Sequence, residues 1–88
     1  MVLNILGAQV RVVYKKDSEL DSAGEAKFSV GEIWLRRSLK GKERKQVLYH
    51  EVMHWILYRS GLAEGLNKII EEAICDASGF VFSENKIL

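Results

Sequence analysis

The segment YHEVMHW, Tyr49 to Trp55, holds both histidines of the chain, four residues apart, with Glu51 directly after the first. On a helix, positions i and i+4 lie one turn apart and about 40° round the axis, so two imidazoles at that spacing can converge on one ion. Zinc takes imidazole nitrogen at about 2.0–2.1 Å, and a catalytic zinc keeps three protein ligands and leaves a fourth position to water. Glu51, rotated about 100° from His50, stands where a general base contacts that water rather than the metal. H-E-x-x-H on a helix therefore has a mechanical meaning. The rival reading is two histidines packed inside a core.

A third ligand has to come from elsewhere. No further histidine exists and position 60 is serine, which excludes the ligand set H-E-x-x-H-x-x-G-x-x-H. The segment IIEEAICDASGF offers Glu71, Glu72 and Asp76. Glu72 and Asp76 are an i, i+4 pair and share a helix face, whereas Glu71 is rotated about 100° to the other flank of the apolar stripe and is read as solvated. The expected metal ligands are His50, His54 and Glu72. Asp76, one turn on, is expected to accept a hydrogen bond from the far nitrogen of His50 and so fix its tautomer. A set of two imidazoles and one carboxylate suits zinc better than other divalent ions.

Two stretches of different texture must position these groups. From Met1 to Arg37 the pattern is strand-like: LNILGAQVRVVYKK breaks near Gly7-Ala8, and EAKFSVGEIWLRR alternates apolar and polar residues on either side of Val30-Gly31. From Leu39 onward the period is helical. Ser38 is the expected N-cap, Gly61 suits the end of the first helix, and Ile69, Ile70, Ala73, Ile74, Ala77 and Val81 form the expected core stripe of the second. The first helix is apolar on every side around its histidines, which predicts burial between the sheet and the second helix. The expected fold is α+β: a small antiparallel sheet of about four strands over residues 2–37, packed on two helices at about 39–60 and 66–83.

Eighty-eight residues without proline predict a single domain over 1–88. One cysteine, Cys75, excludes an internal disulfide and is expected to be a buried packing residue; Trp34 and Trp55 are expected core aromatics. The N-terminus lacks a basic run before its short apolar stretch, and no stretch reaches the roughly 18–20 apolar residues of a membrane span. A cytoplasmic protein without a membrane segment is the expectation.

The pairing of HEVMH with a following EAICD resembles the gluzincin arrangement, in which H-E-x-x-H is completed by E-x-x-x-D on the next helix. Nearly the whole chain resembles the small zincin-like proteins of phages and prophages, the minimal gluzincins and the ImmA/IrrE-type domains, through its GEAKFSVGEIWL hairpin, the basic ERKQVLYHE segment and the EEAICDASGF helix. The resemblance implies a zinc-dependent peptidase, with zinc on His50, His54 and Glu72, Glu51 as the general base and Asp76 orienting His50. Full-sized gluzincins also use a Tyr or His to stabilise the oxyanion. Here Tyr14, Tyr49, Tyr58 and the arginines are the alternatives.

RRSLKGKERK carries six basic residues in ten, Arg36, Arg37, Lys40, Lys42, Arg44 and Lys45. Cations at a helix N-terminus oppose its dipole, so local stability does not explain them. They read either as a solvated basic surface or as a docking patch for an acidic partner or nucleic acid. Two functions from different classes follow. The first is a metallopeptidase that cleaves peptide or protein substrates, with the same zinc chemistry in an amidase as a variant. The second is a zinc-binding module that acts through protein or DNA contacts.

Overall fold

A computed structural model describes residues 1–85, so positions 86–88 of the expected domain lie outside the described residues. The fold is α+β: β1 (Val2–Ile5), β2 (Ala8–Lys15), β3 (Gly24–Lys27) and β4 (Glu32–Arg36) form one sheet, and α1 (Gly41–Ser60) and α2 (Lys68–Glu84) follow. The sheet runs β1-β2-β4-β3. β1 and β2 form the expected hairpin, closed by Leu6 and Gly7 with φ of 46° and 84°. Two successive positive-φ residues match the twist of a two-residue hairpin, and glycine adopts that conformation freely.

The expectation of an all-antiparallel sheet is corrected at its centre. β2 and β4 pair in parallel, with Val12 opposite Ile33 and Tyr14 opposite Leu35, so the sheet is mixed. Parallel neighbours need a crossover. Here residues 16–31 form it, and it contributes β3 to the outer edge of β4. Phe28–Val30 is a 3-10 turn rather than a continuation of the strand, and Gly31 leaves it at φ 67°.

Alternation along β2 and β4 points Val10, Val12, Ile33 and Leu35 to one face, where they form the core with Ile5, Leu39 and Trp55. α1 lies on that face, and α2 packs on the far side of α1. Trp55 is 3% exposed and its indole donates to the Glu32 carbonyl oxygen. Trp34, by contrast, is half-buried on the opposite face of the sheet, with the ammonium groups of Lys15 and Lys27 over its ring. No helix among the described residues is long and apolar enough to cross a membrane.

Three local expectations change. Ser38 does not cap α1: the helix begins after Lys40, and Ser38 instead bonds to the Asp17 carboxylate through both its N–H and its hydroxyl. α1 is not buried all round, since Tyr58 at its C-terminal end is 49% exposed. The apolar stripe of α2 does not enter the core. Ile69, Ile70 and Val81 are exposed, and the residues turned inward are Cys75 and Gly79. Glycine sets the distance here, because a Cβ on Gly79 would lie 2.6 Å from the Gln46 carbonyl oxygen and 3.4 Å from the His50 Cβ.

Candidate metal centre

The close approach at Gly79 lays the inward face of α2 directly over the histidine face of α1. His50 and His54 bring their Nε2 atoms to 3.2 Å. The Glu72 carboxylate bridges them, with Oε1 2.9 Å from His54 Nε2 and Oε2 3.3 Å from His50 Nε2. Ligands bound tetrahedrally at 2.0–2.1 Å stand about 3.3 Å from one another. The three expected ligands therefore sit at close to the spacing that zinc coordination requires.

Each ring is anchored from behind. Asp76 Oδ1 lies 2.8 Å from His50 Nδ1, and Glu71 Oε2 lies 2.7 Å from His54 Nδ1. Carboxylates only accept, so each contact assigns the ring proton to Nδ1. Rings oriented in this way turn their Nε2 atoms towards each other and towards Glu72. Three groups that can each donate a lone pair thus meet at one point, where a cation would be held by all of them at once.

No protein-family model, curated protein or solved structure matches this chain.

Glu51 is 7% exposed, the one buried charged residue among those described, and its Oε2 lies 3.9 Å from His50 Nε2. Burial holds its carboxyl above the usual range, opposed by the neighbouring imidazoles. It stands beside the ligand cluster rather than within it. The group opens into a cavity of about 710 Å³, walled on one side by α1 and α2 and on the other by β3 and Phe28.

The sequence reading missed Glu71. Instead of facing solvent as expected, it holds His54, and its side chain is only 20% exposed. Asp76, which holds His50 as expected, is 63% exposed. None of the three tyrosines lines the cavity. Tyr14 lies under Arg44, Tyr49 meets Phe82 edge-on and Tyr58 stacks on Phe28. Of the expected oxyanion donors no arginine lines it either; besides the two histidines, the polar neutral or cationic side chains that do are Ser22, Gln46 and Lys68.

The basic residues lie away from this cavity. Arg37, Lys40, Lys42 and Arg44 are exposed, Lys45 is half-buried, and Arg36 donates to the Leu20 carbonyl oxygen. The parallel register adds two more cations, because it sets Lys15 opposite Arg36 and Lys16 beside Arg37.

Proposed function

We propose that this protein is a zinc-dependent peptidase. The observation that carries the reading is the convergence of two carboxylate-anchored imidazoles and Glu72, with buried Glu51 alongside. His50, His54 and Glu72 would hold the ion, which when bound supplies a Lewis acid that polarises a peptide carbonyl and acidifies water. Glu51 accepts the proton from that water and returns it to the departing amine; its raised proton affinity suits a group that must do both. Glu71 and Asp76 hold the two rings in register throughout.

Substrate fits beside β3. This strand is at the edge of the sheet, and the bond from the Arg36 N–H to the Ala23 carbonyl oxygen shows which alternate residues face β4. Gly24 and Ala26 thus aim their backbone groups outward, along the cavity, where an extended peptide adds as a further strand. The test has two parts: zinc near one per chain in the purified protein, and hydrolysis of a mixed peptide library that Glu51→Gln abolishes with zinc retained. Metal-free protein after purification in zinc, or undiminished hydrolysis in the variant, rejects the reading.

A second reading rests on the basic surface that Lys15 and Lys16 extend. In it the chain is a zinc-binding module that docks on nucleic acid or an acidic partner. Charge reversal at Arg37, Lys40 and Lys42 would then abolish binding, and Glu51→Gln would leave it intact. Glu51 itself favours the enzyme, because a purely structural site has no use for a buried carboxylate beside its ligands.

A further inference from the structure

The amphipathicity of α2 is inverted. Glu71 and Glu72 point inward at the histidines, while Ile69, Ile70, Phe80 and Val81 are 83%, 47%, 51% and 53% exposed, and Ala73 and Ala77 between them are exposed as well. At about 100° per residue these six fall within an arc of roughly 120°, so the outer face of a 17-residue helix is one continuous apolar strip. Large contiguous apolar patches on a soluble domain mark a contact surface.

We propose that this strip pairs with the same strip of a second copy of the chain, α2 against α2 in antiparallel orientation about a two-fold axis near Ala73 and Ala77. Three features favour a second copy over an unrelated partner. The first is self-complementarity: antiparallel pairing sets Ile69 against the partner's Val81, Ile70 against the partner's Phe80, and Ala73 against the partner's Ala77. Small residues at the crossing let the helices approach closely while large ones close the ends, and a two-fold contact needs a single patch to match itself.

The second is area. With about 150–200 Å² for each large apolar side chain when fully exposed, the six residues offer on the order of 500 Å² per copy, so pairing hides about 1,000 Å² in total, which is the threshold of a specific interface. The third is charge. α2 ends in Glu84, within the same arc, and has no basic residue in its last turn. A carboxylate there opposes the dipole of its own helix. In the antiparallel pair it lies beside the positive N-terminal end of the other α2, where an anion is favoured.

The pairing does not depend on the proposed chemistry, since the metal-facing side of α2 is its other side. Sedimentation equilibrium at micromolar to millimolar chain concentration, with and without chelator, tests it. Twice the single-chain mass is expected for the natural sequence. Ile69→Glu and Ala73→Arg are each expected to return the single-chain mass with an unchanged far-ultraviolet circular dichroism spectrum. Glu84→Lys is expected to weaken association about tenfold at low salt, since the helix-end contact occurs twice.

Orientation is read by mixing Ala73→Cys protein with Ala77→Cys protein under mild oxidation. A covalent dimer forming faster in the mixture than in either alone supports the antiparallel pair; the reverse overturns it. A natural sequence that stays at single-chain mass throughout overturns the pairing and assigns the strip to a different polypeptide.

Discussion

Glu71 and Asp76, five positions apart on α2, hold the two imidazoles of α1 from behind at 2.7 and 2.8 Å. Each histidine thus has its own carboxylate, and the two are not equivalent: the Glu71 side chain is 20% exposed and that of Asp76 is 63% exposed. A less hydrated partner interacts more strongly.

If the proposed zinc is held there, removing Glu71 is expected to loosen it more than removing Asp76. Glu71→Ala should lower zinc affinity towards the 100-fold end of the usual 10–100-fold range and Asp76→Ala towards the tenfold end. Competition with a chromophoric chelator measures both. Equal losses, or a larger one for Asp76→Ala, would overturn this ranking.

Glu51 gives a prediction about stability that is independent of catalysis. Burial raises its carboxyl above the ordinary value of 4.5, so as pH rises the unfolded chain releases this proton before the folded one. The folded, metal-free protein is then opposed by a cost that is absent below the ordinary carboxylate range, grows as pH rises and is fully present above the raised value. Glu51→Gln should stabilise chelator-treated protein by about 1 kcal/mol at neutral pH. The gain should fade as the solution is acidified. Urea unfolding across that range, with and without the substitution, decides it.

Cys75 is fully buried on the inward face of α2, and its thiol is pushed up to about 12, first by burial and then by the carboxylates around it. The thiolate is the reactive form. Alkylation at mildly alkaline pH should therefore be negligible in the folded protein and rapid once denaturant is added. Mass spectrometry of iodoacetamide-treated samples reads this, and fast labelling of the folded chain would show that the α1–α2 seam opens.

Gly79→Ala should act at a distance from any ligand. The added Cβ would meet the Gln46 carbonyl oxygen at 2.6 Å, and backbone cannot move aside as a side-chain tip can. The helices must part, at a cost of about 1–3 kcal/mol. Because Glu72 and Asp76 ride on α2, zinc affinity should fall together with the melting temperature. Gly24→Ala makes a useful contrast: its Cβ would meet the Val47 and Leu35 side chains, at 2.7 and 3.1 Å, so it should disturb the sheet–α1 packing and leave the α1–α2 seam intact.

Much of the centre was legible in the sequence because helical spacing is a strong geometric constraint. His50 and His54, and likewise Glu72 and Asp76, share a face whatever surrounds them. The place of Glu71 was not legible because large apolar residues ordinarily mark the inward face of a helix, and on α2 Ile69, Ile70, Phe80 and Val81 face outward. The inward side is marked instead by Cys75 and Gly79, small residues that let two helices meet closely; a glycine in mid-helix was the available signal. The strands of the hairpin followed from alternation and Gly7. The parallel pairing of β2 with β4 did not, since nothing local in the chain encodes which strand a crossover returns to, and alternation reads the same in either direction.

That crossover has an evolutionary corollary. Residues 16–31 depart from the end of β2 and rejoin the sheet at the start of β4, and between those two fixed points they build β3 and Phe28, one whole wall of the cleft. The hydrophobic centre, the helix bearing the histidines and the helix bearing their carboxylates are built almost wholly outside that excursion. Rewriting its positions other than Leu20, Gly24 and Phe28 would reshape that wall while leaving the contacts to α1 in place, so the two sides of the cleft are free to change on separate schedules.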